Sequence, residues 1–197
     1  MARGSASMVP MKLRTALACI ALAAVSGLAP AGAATVAVEV ESATNLVAPM
    51  VAVRQEIAAP GTKVLADASA GAYLEVPLGA GKTPKVKAGK ATLAVEVPED
   101  GSYTLWLRAY WQGECSNSLQ VQIDKGPLLL VGEDGTYNTW HWVKYPVSKL
   151  ASPTRLTKGR HTLTLVHRED GIHLDQLLLT SDARFVPVGI EQTGVRP

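Results

Sequence analysis

The chain has 197 residues, of which 47% are hydrophobic and 18% are charged, so it is long enough and apolar enough to bury a core of its own. Three of the 19 basic residues and none of the 17 acidic residues fall within residues 1–33, which leaves the remainder close to neutral. This balance excludes the strongly basic surface that binding to nucleic acid or to anionic lipid requires.

The first 33 residues differ from the rest of the chain. Three basic residues precede the apolar run "TALACIALAAVSGLA", and the small residues "AGAA" at 31–34 suit a signal peptidase. We therefore predict a cleaved signal peptide over residues 1–33 and a secreted protein, periplasmic or extracellular. One cysteine, Cys115, remains after cleavage, so no disulfide can form within the mature chain.

Beyond the signal peptide, apolar and polar residues alternate with the period of two that is typical of β-strands. Turn-forming sequences such as "PEDG" and "DKGP" separate the alternating stretches. Many short strands with regular turns predict an all-β domain over residues 35–186, a jelly-roll β-sandwich of two antiparallel sheets, followed by a tail at 187–197. The predicted strands are 35–41, 91–97, 103–110, 119–123, 161–167 and a long apolar strand around 172–179.

Three acidic residues lie on the first and last of these strands. Glu39 and Glu41 are two residues apart, so they would share one face of the first strand, where two ionised carboxylates repel each other. Asp175 interrupts the apolar last strand. Because the first and last strands of a jelly roll commonly lie near each other, the three carboxylates can converge, and such oxygen ligands favour Ca²⁺. The alternative is that the glutamates face solvent on an edge strand while Asp175 pairs with Arg108 or Arg168.

All four tryptophans and three of the five tyrosines fall within residues 103–142. A sugar presents flat C–H faces ringed by hydroxyl groups, so a sugar site needs aromatic rings for stacking and polar groups for the hydroxyls. We expect Trp111 and Tyr137, at segment ends, to be exposed, and Trp140 to lie nearer the rim than a buried Trp142. Turn asparagines offer amides, although they also commonly bond to their own backbone. The candidate sugar ligands in these stretches are Trp111, Asn117, Tyr137, Asn138 and Trp140.

Several stretches resemble, in the same order, the carbohydrate-binding modules of families 6 and 35, which belong to the galactose-binding-like jelly-roll group. They are "VEVESA", "PEDGSYTLWLRAY" followed by "SNSLQVQID", and "LTKGRHTLTLVHREDGIHLDQLLLTSD". The resemblance covers most of residues 36–186 and implies a structural Ca²⁺ held by Glu39, Glu41 and Asp175. The ligand cleft of these modules usually employs an asparagine shortly before this aspartate. This chain has His173 there, which adds His173 to the candidate ligands and leaves the sugar specificity open.

The sequence thus predicts a non-catalytic, lectin-like module that binds a polysaccharide or other glycan, with structural calcium, and that can act beside a separate glycan-active enzyme. A second hypothesis, favoured by His173 and Cys115, is an extracellular scaffold or protein-interaction sandwich that has lost sugar binding. A glycan-degrading enzyme is a third. The sequence contains neither a G-x-S-x-G nor an H-E-x-x-H motif, and the adjacent acids Glu169 and Asp170 suit a turn.

Overall fold

The computed structural model of the protein describes Met1 and residues 33–58, 64–145 and 153–196. The predicted signal peptide therefore lies, except for its first and last residues, outside the described residues. No helix in the described part is long and apolar enough to cross a lipid bilayer. The strands are β1 Thr35–Glu39, β2 Thr44–Val47, β3 Val51–Arg54, β4 Ala72–Val76, β5 Lys90–Val97, β6 Gly101–Trp111, β7 Ser118–Ile123, β8 Leu128–Gly132, β9 Trp140–Tyr145, β10 Thr154–Leu156, β11 Gly159–Val166, β12 Ile172–Thr180 and β13 Gly194–Arg196.

These strands form two antiparallel sheets. The larger sheet has the order β10, β6, β12, β1, β13, with β9 also paired to β6, and with β4 and then β3 added beside β12. The smaller sheet has the order β2, β5, β11, β7, β8. Side chains from the facing sides of both sheets form one apolar core. The described chain is therefore the two-sheet β-sandwich that the alternating sequence predicts.

The alternation along β6 shows how the pattern sorts side chains between the core and the outer side of the larger sheet. Trp106 lies on the outer side, where it packs with Ala37 and Leu178 in a second, smaller apolar cluster. Tyr103, by contrast, is fully buried in the main core. The inward side chains of β6 are those of Tyr103, Leu105, Leu107, Ala109 and Trp111.

Strand β12 contains one extra residue that changes the phase of its alternation. Leu174 and Leu177 both face the core, although they are three residues apart. The register between β12 and β6 shifts between Leu174 and Gln176, which makes Asp175 the additional residue of a β-bulge. The side chains of Asp175 and Gln176 consequently both bond to groups on the outer side of the sheet.

The first strand and the last long strand are neighbours, as expected for a jelly roll. Strand β1 pairs with β12 along its whole length and with β13 on its other side, so it is not an edge strand and that part of the alternative interpretation is wrong. The prediction that Glu39 and Glu41 share one face of a strand is also wrong. Strand β1 ends at Glu39, and Val40–Ser42 form a 3-10 turn that carries Glu41 out of the sheet.

Two segments cover the outer side of the larger sheet. The loop at 64–71 accepts hydrogen bonds through its carbonyl groups from side chains of the sheet, including Arg108 at 3.0 Å. Residues 185–196 cross another part of the face, where the backbone of Glu191 exchanges two hydrogen bonds with the amide of Gln176. The segment predicted as a tail is therefore attached to the sheet and contributes strand β13.

The turn between β11 and β12 holds the loop that follows β4. The buried carboxylate of Asp170 accepts hydrogen bonds from the backbone N–H groups of Gly79 at 2.9 Å and Gly81 at 3.0 Å. Burial by itself would raise the pKa of Asp170, but these N–H groups outweigh burial and lower the pKa below its ordinary value. The next residue, Gly171, has a φ of +70°, and a Cβ there would lie 2.8 Å from the Ser116 hydroxyl oxygen, so glycine is required.

Asp170→Asn should lower the free energy of unfolding by about 1 to 2 kcal/mol at neutral pH, because it removes the charge from two hydrogen bonds to a buried carboxylate. Since the folded-state pKa of Asp170 is lowered, its contribution is fully present above the unfolded pKa of about 3.9 and is lost as pH falls through the folded value. Urea unfolding at neutral pH and near pH 3 should therefore show a difference that shrinks in acid. Glu56→Gln, at an exposed acid, is the control and should change stability at neither pH.

Candidate functional site

A row of side chains crosses the outer side of the larger sheet on four neighbouring strands. Glu75 on β4 is opposite His173 on β12, and His173 is opposite Tyr110 on β6. Tyr110 is in turn opposite Trp140 on β9. Cross-strand neighbours on one face lie within side-chain contact, so the backbone register alone brings these four residues together from distant parts of the chain.

The rings in and beside this row pack edge to face. The ring centroid of Trp140 lies 5.6 Å from that of Tyr110 and 5.8 Å from that of Tyr73. The imidazole of His173 lies 5.4 Å from Tyr110 and 5.5 Å from Tyr73. The Trp140 indole N–H donates to a carbonyl of the covering loop at 2.8 Å, and the guanidinium of Arg108 lies 5.2 Å from the Trp140 ring centroid. These contacts hold the rings in one orientation.

The row opens into a cleft of about 350 Å³ on the outer side of the sheet. Its walls combine an aromatic ring with two amide groups, a carboxylate and an imidazole. A concave site with an apolar surface and a few convergent polar groups is typical of small-molecule and sugar recognition. The residues that line the cleft are Leu65, Glu75, Tyr110, Gln112, Asn138 and His173.

Three of the predicted ligand residues lie at this cleft. Asn138 and His173 line it, and Trp140 packs against the Tyr110 wall. Asn138 is exposed and has a φ of +57°, a left-handed conformation that asparagine tolerates better than most residues. His173 is 5% exposed. Its Nδ1 lies 3.3 Å from the Tyr110 carbonyl oxygen and its Nε2 lies 3.4 Å from the Glu75 carboxylate.

The four other lining residues were not predicted as ligands from the sequence; they are Leu65, Glu75, Tyr110 and Gln112. The alternation along β6 does indicate Tyr110. It places that ring on the outer side of the sheet, away from the inward residues, and one residue before the strand ends. Glu75 lies on β4, a five-residue strand that the pattern of turns did not reveal. Its proximity to the cleft depends on the pairing of β4 with β12, which has no local sequence signal.

The other predicted ligands hold the neighbouring loop and do not line the cleft. The expectation that Trp111 is exposed is wrong, because as the last residue of β6 it keeps the inward side of the alternation and is 0% exposed. Its indole N–H donates to the Asp134 carboxylate at 3.3 Å, and the buried amide of Asn117 donates to the Asp134 carbonyl at 3.1 Å. Tyr137 is half-buried against the core, and Trp142, expected to be buried, is half-buried.

Two of the predicted metal ligands share Ser69, in the loop that covers the sheet. Asp175 is 0% exposed, and its Oδ1 accepts a hydrogen bond from the Ser69 backbone N–H at 2.8 Å. Its Oδ2 forms an ion pair with Arg108. The Oε1 of Glu39 accepts hydrogen bonds from the Ser69 hydroxyl at 2.7 Å and from the Gln176 amide at 2.9 Å. The bulge in β12 and the end of β1 therefore meet at one buried serine.

Glu39 and Glu41 each have one buried carboxylate oxygen, Oε2, that has no hydrogen-bond partner among the described residues. Burial raises the pKa of Glu41 to about 7, and the negative charges of Glu39 and Asp175 act in the same direction, against a backbone hydrogen bond and the weaker effect of Arg54, which both lower it. Burial also raises the pKa of Asp175, although Arg108 opposes this. Unsatisfied buried oxygens and repulsion among carboxylates are the two conditions that a bound cation relieves.

The contacts of Glu39, Glu41 and Asp175 can be compared with the two interpretations drawn from the sequence, a calcium site and an arginine pair. Asp175 pairs with Arg108, as the alternative predicted, and Arg168 pairs with other acids. In the described part of the chain, no three His, Cys, Asp or Glu side chains are arranged so that they could hold a metal ion by themselves. The glutamates fit a cation through their unsatisfied oxygens, and the remaining ligands would have to be other oxygens such as backbone carbonyl groups.

Comparison with known proteins shows the fold and not a family. No family model matches the sequence, and the search of curated proteins finds no significant match. Solved structures are similar in fold, as the following three show. A Cry1Da tryptic core variant from Bacillus thuringiensis matches with a TM-score of 0.52 and 13% identity, over 74% of this chain and 23% of that chain. A GH26-CBM35 β-(1,4)-mannanase from Podospora anserina matches with a TM-score of 0.51 and 17% identity, over 78% of this chain and 29% of that chain. An exo-β-1,3-galactanase from Phanerochaete chrysosporium matches with a TM-score of 0.51 and 16% identity, over 74% of this chain and 29% of that chain.

The likeness to these structures settles the architecture. The chain is a jelly-roll β-sandwich. The fold expected from the resemblance to family 6 and family 35 modules is thereby confirmed. The chain spans less than a third of the length of each of the three structures, and at identities this low the comparison concerns the fold alone.

Trp111→Ala should lower the free energy of unfolding by about 3 to 5 kcal/mol, because it removes a fully buried indole from the core. Trp140→Ala should cost distinctly less, because that ring is half-buried on the outer side of the sheet. Urea unfolding followed by circular dichroism compares the two variants directly. A smaller loss for Trp111→Ala than for Trp140→Ala would contradict the assignment of Trp111 to the core.

Proposed function

We propose that the protein is a secreted, non-catalytic carbohydrate-binding module that holds a glycan in the cleft on the outer side of the larger sheet. The observation that carries the proposal is the fixed pair of rings, Tyr110 and Trp140, beside the polar groups of Glu75, Gln112 and Asn138. A sugar can stack its C–H face on a ring while its hydroxyls exchange hydrogen bonds with the amides and the carboxylate. Rings that are already oriented lose little conformational freedom on binding.

The similar structures support this proposal only in part. The Podospora anserina protein is a mannanase, and the Phanerochaete chrysosporium galactanase was determined with β-1,3-galactotriose. The Cry1Da core has the same fold and is not named for a glycan. Because one fold can serve several functions, glycan binding is supported by the cleft and its side chains rather than by the fold.

The non-catalytic part of the proposal is supported by the acids that a hydrolytic mechanism could have used. The Oε2 of Glu169 accepts hydrogen bonds from the Asn117 backbone N–H at 3.0 Å and from the Ser118 hydroxyl at 2.7 Å. The Asp170 carboxylate is committed to two backbone N–H groups in the loop that follows β4. Glycosidases need two carboxyl groups facing the scissile bond, so we infer that the glycan is retained intact and that any cleavage falls to a separate enzyme.

A scaffold or protein-interaction sandwich is the second candidate. It is favoured by His173, which replaces the asparagine expected in this cleft and whose ring nitrogens already face Tyr110 and Glu75. The exposed, free thiol of Cys115 also favours it. Both candidates place the protein outside the cytoplasm, and the predicted signal peptide is the basis for that location.

We also propose that Ca²⁺ binds at Glu39, Glu41 and Asp175. The support is the unsatisfied buried oxygen on each glutamate together with the raised pKa of Glu41. Calcium would supply positive charge to these oxygens and would complete its shell of about 6 to 8 ligands with other oxygens. Asp175 already has an arginine partner, Arg108. We therefore expect the two glutamates to be the stronger ligands and Asp175 the weaker one.

A glycan array should identify ligands of the wild-type protein, and Tyr110→Ala should weaken binding by about tenfold or more, because it removes the stacking surface of the cleft. Tyr145→Ala is the matched control, since Tyr145 is half-buried at the opposite end of β9, and it should bind as the wild type does. Titration calorimetry measures both variants. A folded wild-type protein that binds no glycan on the array would refute the proposal in favour of the scaffold.

Calcium should raise the melting temperature of the protein and a chelator should lower it, because a ligand that binds only the folded state stabilises it by about 2.7 kcal/mol at a hundredfold excess over Kd. Glu41→Gln should abolish the response to calcium, whereas Glu56→Gln, at an exposed acid outside the cluster, should preserve it. In chelator, Glu41→Gln should be at least as stable as the wild type, because it removes a buried, repelled carboxylate. A melting curve that does not change after metal removal and calcium addition argues against the site.

A further inference from the structure

The fixed charge of the cleft is negative. Glu75 is the only carboxylate among the described residues that line the cleft, and in the same set there is no lysine or arginine. The guanidinium of Arg108 contacts the Trp140 ring, but it is paired with the Asp175 carboxylate and donates to a carbonyl of the covering loop. The charge that a ligand meets inside the cleft is therefore that of Glu75.

The described residues leave the carboxylate of Glu75 poorly satisfied. Its side chain is 23% exposed, and among the described residues its one polar side-chain contact is the Nε2 of His173 at 3.4 Å, beyond the usual hydrogen-bond range. The Nδ1 of the same ring lies 3.3 Å from the Tyr110 carbonyl oxygen, which is also longer than a usual hydrogen bond. The Glu75 carboxylate therefore keeps acceptor capacity that a donor on a ligand can satisfy.

We propose that Glu75 makes the cleft selective for glycans that carry free amino groups, such as oligomers of glucosamine. This inference rests on the proposed function, because it names the class of sugar that the same cleft binds. A protonated amine offers up to three hydrogen-bond donors and a charge opposite to that of Glu75, and the nearby Tyr110 ring also attracts a cation. An acetylated amine has no charge to offer, and the carboxylate of a uronic acid is repelled by Glu75.

Titration calorimetry with three oligosaccharides of equal length tests the inference. The probes are oligomers of glucosamine, of N-acetylglucosamine and of galacturonic acid, at about pH 6, where a sugar amine carries its charge. The wild-type protein should bind the glucosamine oligomer about tenfold or more tightly than the other two, and added salt should weaken that binding in particular. Glu75→Gln keeps the size and a carbonyl acceptor and should remove the preference. Glu56→Gln, at an exposed acid outside the cleft, should retain it.

Each other outcome is decisive. Equal affinity for the three oligomers, tighter binding of the uronic acid, or an amine preference that survives in Glu75→Gln would overturn this inference and leave glycan binding established. A wild-type protein that binds none of the three oligomers but does bind another glycan on the array would overturn this inference alone. A wild-type protein that binds neither the oligomers nor any glycan on the array would overturn the inference and the proposed function together. The comparison among oligomers uses the wild-type protein alone, so the result does not depend on the folding of a variant.

Discussion

One extra residue in the last long strand determines where the chemically important groups of this protein lie. The bulge at Asp175 shifts the alternation of β12, so that Leu174 and Leu177 both face the core. Without it, the strand could not bury both leucines and also direct His173 and Gln176 to the outer side of the sheet. The core, the ring-lined cleft and the carboxylate cluster all depend on this change of phase.

The outer side of the larger sheet is unusual in being neither plain solvent surface nor part of the main core. Its middle carries the buried Asp175 and the half-buried Glu39, because the loop at 64–71 closes over both through Ser69. The same loop accepts the indole hydrogen bond of Trp140. The electrostatic state of the acid cluster and the orientation of the rings at the cleft are therefore connected through one short segment.

The degree of burial of each of these acids determines how its carboxylate is stabilised. A carboxylate withdrawn from water must be hydrogen-bonded, paired or protonated, and the cluster shows more than one of these solutions. Asp175 is hydrogen-bonded to a backbone N–H and paired with Arg108, while the pKa of Glu41 rises to about 7. Glu75, by contrast, is only partly buried at the rim of the cleft, where its charge is available to whatever enters.

The sequence by itself determined the all-β class, the two-sheet sandwich and the positions of its longest strands, because a period of two in apolar residues is a local signal that any strand with one buried side must carry. It also indicated Asn138, Trp140 and His173 as members of a site. Only the tertiary structure decided that Glu75 and Tyr110 stand beside His173. Their proximity follows from the register between strands that are far apart in the chain, and no local pattern encodes that register.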